Sequence, residues 1–262
     1  MAELLFWPAL LLYGEAAVGY LGDVRRPGRA GRVATWAVRL GWLAQTALLA
    51  VQAADDDGFP WGTWAGSLQL FVWLVVTAYL IWGCRRPYRV LGLVVMPLAV
   101  VLLVVARAGG GTGIGNASHY SNLFLVVHVG LVLAGFAGFT LAAALSALYL
   151  WQERRLKTRP ATILRRQMPA LATLDGLALR TVEWSVPLLT FGVVAGLVRL
   201  LVRDDRVDAL IAVTAATWLV WCAYLGLRLI GGWAGRRAAY VALAGFLLVV
   251  IVRLALPATH FT

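Results

Sequence analysis

Histidine is scarce enough in this 262-residue chain to be read one residue at a time: there are three, His119, His128 and His260. His128 lies in the apolar run Leu123-Phe-Leu-Val-Val-His-Val-Gly, and His260 in Pro257-Ala-Thr-His-Phe-Thr. His119 stands in polar loop sequence with Asn116 and Ser118 and reads as a solvated loop residue. Neutral imidazole in apolar surroundings is a good axial ligand for haem iron. His128 and His260 are therefore candidate metal ligands, against the competing reading that each is a hydrogen-bonded packing residue. Zinc wants three or four ligands, and no carboxylate or cysteine completes such a set convincingly.

Other residues could serve the same chemistry. Arg107, Arg199 and Arg253 fall at helix ends on the side of the two histidines, where a guanidinium can pair with a haem propionate. The simpler reading is snorkelling to the interface. Trp61 and Trp64, in Asp55-Asp-Asp-Gly-Phe-Pro-Trp-Gly-Thr-Trp, offer either a flat apolar platform for a porphyrin face or an aromatic belt. Glu15 and Arg39 are predicted about 9–10 Å deep on consecutive antiparallel helices, which suggests a structural ion pair. Cys84 and Cys222 have neither Cys-x-x-Cys nor Cys-x-x-Cys-His spacing and read as packing residues.

The elements that must position these groups are membrane helices. The chain is 61% hydrophobic and only 13% charged, with a mean hydropathy of +0.82. Soluble domains carry about 25% charged residues, so a water-soluble globule is excluded. The fold class is all-α, a single polytopic bundle over 1–262. Eight segments are apolar enough to span, at approximately 4–22, 33–53, 66–83, 88–106, 122–152, 180–202, 207–230 and 234–256. The first reads as a retained helix, since no basic stretch precedes it and no cleavage site follows.

The net charge of +11 reflects topology rather than nucleic-acid binding. Most of the 23 basic residues fall in alternate loops, around Arg25–Arg32, Arg85–Arg89, Arg154–Arg180 and Arg228–Arg237. The positive-inside rule puts those loops in the cytoplasm and both termini outside. His128, in the outer third of the fifth helix, and His260 then share the outer face. The fifth span covers about 31 residues, roughly 46 Å, so its end should project into the cytoplasm as Tyr149–Lys157. The following loop, with Met168, Leu171, Leu174 and Leu177, suggests a short amphipathic helix at the inner headgroups, or a docking site for a cytoplasmic partner.

The residues also resemble a known family. The chain is similar to HemX and the wider CcsA/CcmC group of cytochrome c assembly membrane proteins over nearly its whole length. The resemblance runs through Leu11-Leu-Tyr-Gly-Glu-Ala-Ala-Val-Gly-Tyr-Leu-Gly-Asp, Trp42-Leu-Ala-Gln-Thr, Phe59-Pro and Ser67-Leu-Gln-Leu-Phe-Val-Trp. It continues in Val127-His-Val-Gly, Ala147-Leu-Tyr-Leu-Trp-Gln, Leu171-Ala-Thr-Leu-Asp and Pro187-Leu-Leu-Thr-Phe-Gly. Order and spacing carry it rather than any single motif. It implies two haem-ligating histidines, matching His128 and His260. The tryptophan-rich segment ending in Asp that haem-handling members have is replaced here by Val202-Arg-Asp-Asp-Arg-Val-Asp, and Gly66 stands near the place of an acidic residue common in relatives. Haem binding or regulation is thus more strongly implied than active delivery.

The leading expectation is a bacterial plasma-membrane haem-binding protein of the CcsA/HemX type. It would hold haem b near the outer leaflet through His128 and His260, with Arg253, Arg107, Trp61 and Trp64 around it, and assist cytochrome c biogenesis or haem supply. Its partners would be haem, lipid, and a cytochrome c assembly subunit or a cytoplasmic haem-synthesis enzyme. The alternative is a haem-free regulator or scaffold of tetrapyrrole synthesis, controlling glutamyl-tRNA reductase through the basic loop 154–180, as the resemblance to HemX implies. A solute transporter is disfavoured because only Glu15, Arg39 and Glu183 are ionisable at the inner side of the spans. An enzyme is not expected: no nucleophile–base pair, phosphate loop or carboxylate pair is visible.

Overall fold

A computed structural model describes residues 2–25, 28–54, 58–59, 63–82, 84–110, 115–116, 122–158, 169–203 and 209–255. Eight α-helices run through them: α1 (Ala2–Arg25), α2 (Arg29–Ala54), α3 (Trp64–Trp82), α4 (Gly92–Ala108), α5 (Asn122–Thr158), α6 (Leu171–Arg203), α7 (Ala209–Leu229) and α8 (Arg236–Ala255). A 3-10 turn over Arg86–Leu91 leads into α4, and a two-residue antiparallel pair joins β1 (Gly58–Phe59) to β2 (Gly115–Asn116). Six helices are long and apolar enough to cross a membrane among the described residues: α1, α3, α4, α5, α6 and α7. α2, which carries Arg32, Arg39, Gln45 and Gln52, and α8 are not among those six. Apart from that two-residue pair the described residues are mainly helical, and the chain is a multi-pass membrane protein. It divides into two compact units, Met1–Val126 and Val127–Thr262.

In the first unit α1 and α2 pack antiparallel. Phe6, Ala9, Tyr13, Ala16 and Tyr20 recur at intervals of three and four, the period that places them on one helix face. They meet Ala34, Ala37, Val38, Gly41, Gln45 and Leu48 of α2. A Cβ on Gly19 would come within 2.9 Å of the Ala34 Cβ, and one on Gly41 within 2.9 Å of the Tyr13 ring, so small residues set the approach. Buried polar groups bind one another here. The Tyr13 hydroxyl donates to Gln45 Oε1 at 2.8 Å, and Gln45 Nε2 donates to the Gln69 carbonyl at 3.0 Å.

α2 and α3 are joined by a reciprocal clasp. Trp42 Nε1 donates to Thr77 Oγ1 and Trp73 Nε1 to Thr46 Oγ1, both at 2.8 Å. Each threonine passes its own proton to the carbonyl of the tryptophan one turn earlier on its helix, at 2.7 Å. The two indoles stack 5.7 Å apart at 18°. Both indole N–H groups are thereby satisfied without water, as apolar surroundings demand.

The expected Glu15–Arg39 ion pair does not form. Both side chains are exposed, and Arg39 lies 5.0 Å over the Trp36 ring instead. Depth matched but azimuth did not. Each successive residue turns about 100° round a helix, so Glu15 and Arg39 point away from the α1–α2 seam made by Ala16 and Val38.

In the second unit α5 and α6 also run antiparallel at close range. A Cβ on Gly135 would lie 2.9 Å from the Leu189 Cβ, and one on Gly138 would strike Ser185 Oγ. The core is Phe139, Ala142, Val182, Val186, Leu189, Trp221, Tyr224, Ala238 and Ala242, with Phe139 and Trp221 stacked 4.2 Å apart at 3°. The indole of Trp218 donates to Thr190 Oγ1 at 2.8 Å.

Two expectations about the end of α5 and the start of α6 are resolved differently. The long helix is confirmed, since α5 continues to Thr158. The short amphipathic helix is not: Met168 lies outside the described residues, and Leu171, Leu174 and Leu177 begin the 33-residue α6. Leu174 and Leu177 are buried in the protein, and Asp175 between them is tied to α7. That tie is a buried clasp. Arg228 Nη1 donates to Asp175 Oδ1 at 2.9 Å and to the Trp233 carbonyl at 3.0 Å, and Nη2 donates to Asp175 Oδ2 at 3.1 Å. Gly235, whose φ of +64° suits a residue without a Cβ, adds its N–H to Asp175 Oδ1 at 3.1 Å.

Candidate functional site around His128

His128 lies near the start of α5, half-buried, facing α6. Its Nδ1 is 2.9 Å from the carbonyl oxygen of Gly192. A carbonyl only accepts, so Nδ1 carries the proton and donates it. In the neutral ring the lone pair then belongs to Nε2. A ring-nitrogen bond to a backbone carbonyl is the usual way a metal-binding histidine is fixed in tautomer and orientation.

Two glycines of α6 let the helices approach closely enough for this bond. A Cβ at Gly192 would lie 2.7 Å from Val132 Cγ2 and 3.1 Å from Val132 N, so any larger residue would push α5 away. A Cβ at Gly196 would lie 2.9 Å from His128 Cε1. Gly192 sets the distance between the helices, and Gly196, one turn on, leaves room for the imidazole. Neither is among the site residues expected from the sequence. Their four-residue spacing is the small-xxx-small pattern of close membrane-helix packing, and this was the available signal.

The other expected site residues are placed as follows. Arg107, at the end of α4, donates from Nη2 to Glu3 Oε1 at 2.9 Å, and both side chains are well exposed. Trp64 opens α3, 39% exposed, with its ring against Gly109 at the end of α4. Thr63 caps that helix start, its Oγ1 accepting from Gly66 N at 3.0 Å. Arg199 falls in α6 and Arg253 in α8, but their side chains lie outside the described residues, as do Trp61, His119 and His260 altogether. Both cysteines are free and half-buried. Among the described residues no three His, Cys, Asp or Glu side chains gather to hold a metal ion. A ligand set of the zinc type has no support there, whereas the donor chemistry of His128 fits one axial position of a haem iron, which asks only one nitrogen from each face.

The family model described as Cytochrome C assembly protein matches residues 61–258. The chain is 30% identical to Protein HemX of Brevibacillus brevis over 193 residues, covering 72% of this chain and 70% of that one. It is 23% identical to Protein HemX of Bacillus subtilis over 248 residues, covering 92% and 90%. It is 24% identical to the Cytochrome c biogenesis protein CcsA of Guillardia theta over 234 residues, covering 81% and 78%. No solved structure matches.

Proposed function

This chain belongs to the cytochrome c assembly protein family, of the CcsA/HemX type, and from that membership we propose that it binds haem b at the outer leaflet of a bacterial plasma membrane. His128 and His260 would be the iron ligands. The observation that supports this reading is the His128–Gly192 bond, which fixes the tautomer and orientation of the ring. Arg107 and Arg253 would receive the propionates, and Trp61 and Trp64 would wall the macrocycle. The Glu3 partner of Arg107 is no obstacle, because exposed ion pairs are worth about 0–1 kcal/mol and one carboxylate readily replaces another.

In this reading all eight helices span, with both termini outside. The distribution of basic residues supports that orientation. The internal bonds of α2 also make its polar residues tolerable in lipid: Gln45 is satisfied by Tyr13 and Gln69, and Thr46 by Trp42. Haem is cargo rather than a catalytic group. Ligation from both sides would leave its iron no open position, which suits holding and passing it in cytochrome c assembly, and the protein acts as a carrier rather than an enzyme.

The test is the absorption spectrum of the protein purified in mild detergent after expression with ample haem. A Soret band with sharp reduced α and β bands is expected, weakened in His128→Ala and in His260→Ala. Protein absorbance alone, even after haem titration, would overturn the proposal in favour of a haem-free regulator working through the basic segment 154–180.

A further inference from the structure

Arg39 projects from α2 on a face that the protein does not cover. Trp36, Leu40 and Leu43 around it are each at least half exposed, and among the described residues no carboxylate lies within ion-pair distance of its guanidinium. Arg32, Trp36, Arg39 and Leu43 recur at intervals of four, three and four, which sets a cation, an indole, a second cation and an alkyl chain in one line up the helix. The same Arg39 lines an open groove of about 290 Å³ between α2 and α3, with Trp42, Leu43, Leu80 and Cys84.

The walls of this groove are apolar, and one of them is rigid. Trp42 cannot swing away, because its indole is bonded to Thr77 and stacked on Trp73. Leu80 and Cys84 bracket the end of α3, and the exposed Arg85 follows directly. A permanently charged guanidinium beside hydrocarbon is costly unless an anion meets it, and cation–π contact with Trp36 is only a partial substitute. The ligand that complements a cation set in an alkyl-lined groove carries both a phosphate and acyl chains.

We propose that the groove between α2 and α3, lined by Arg39, Trp42, Leu43, Leu80 and Cys84, is a binding site for an anionic phospholipid of the inner leaflet. Arg39 takes the phosphate, and the acyl chain lies along Leu43 and Leu80. The α2–α3 clasp thereby does a second job, since the bonds that join the helices also hold one wall of the lipid site. The leaflet rests on the orientation proposed above; the binding itself does not.

Native mass spectrometry of the full chain in detergent tests the site with phosphatidylglycerol, phosphatidylcholine and inorganic phosphate as probes. The wild type is expected to keep one phosphatidylglycerol adduct in preference to phosphatidylcholine. Arg39→Gln should lower that adduct about fivefold, the loss of one basic contact near a charged lipid surface. Leu80→Trp, which fills the groove and keeps the charge, should lower it as well, while Arg180→Gln, at another exposed arginine, should not. Equal retention of the two lipids, or an undiminished adduct in both groove variants, would overturn the site. Displacement of the lipid by millimolar phosphate would overturn the lipid as its occupant. Labelling of Cys84 by an impermeant maleimide from outside intact cells would overturn the leaflet alone, whereas protection there with labelling in inverted vesicles supports it.

Discussion

The polar contacts of α2 in the first unit and the α5–α6 seam of the second solve the same problem by different means. In Met1–Val126 the helices are joined by side-chain hydrogen bonds: Tyr13 to Gln45, Gln45 to the backbone of Gln69, and the paired Trp42–Thr77 and Trp73–Thr46 bonds. In Val127–Thr262 the α5–α6 seam is made by absence of side chain, at Gly135, Gly138, Gly192 and Gly196. There the bond across the seam joins an imidazole to a main-chain carbonyl. A polar network in which side chains satisfy one another is directed inward. A glycine seam exposes backbone acceptors, and one of them sets the tautomer of a histidine. The first arrangement builds a scaffold, and the second can build a ligand.

The comparison is sharpest at the acid–base contacts. Arg228 has a side chain only 3% exposed and bidentate bonds to Asp175, whereas Arg89 approaches Asp23 no closer than 4.0 Å. Removing one partner of a buried pair leaves the other charge uncompensated. Asp175→Ala is expected to cost about 3–5 kcal/mol in a detergent denaturation titration, and Asp23→Ala distinctly less. Equal losses would mean that burial and close geometry do not set the worth of these two pairs. Next in size, Gly138→Val overpacks the α5–α6 seam against Ser185 and should cost about 1–3 kcal/mol. A stability unchanged from wild type would mean that the seam is not close-packed.

Smaller effects probe the first unit. Trp42→Phe and Thr77→Val should each cost about 0.6 kcal/mol, the usual worth of a hydrogen bond between membrane helices. The double variant should cost less than their sum, because both remove one bond. Full additivity would separate the residues. The smallest change belongs to Arg107→Gln, whose exposed pair with Glu3 contributes no more than about 1 kcal/mol. Stability should stay near wild type, while haem retention should fall if that arginine meets a propionate.

The helices were largely legible, because hydropathy reports length and apolarity directly. α5 is read as long from its composition alone, and it runs unbroken to Thr158. Azimuth was harder. Glu15 and Arg39 have matching depths, and only the positions of Ala16 and Val38 in the seam show that they face elsewhere. The segment from Leu171 failed for a related reason. Its mixture of polar and apolar residues resembles a surface helix, but Asp175 is there to meet Arg228, some fifty residues later in the chain. His128 was visible because an isolated polar residue stands out in an apolar run. Gly192 and Gly196 were not, since glycines are frequent in this chain and only the partner helix distinguishes the ones that matter.

The central claim is that His128, held by the Gly192 carbonyl, presents Nε2 to haem iron. Replacing His128 by glycine opens a space for free imidazole beside an acceptor already in place. The reduced protein should lose its sharp α and β bands in His128→Gly and recover them when imidazole is added. Bands as sharp in His128→Gly as in the wild type, before any imidazole, would contradict the assignment.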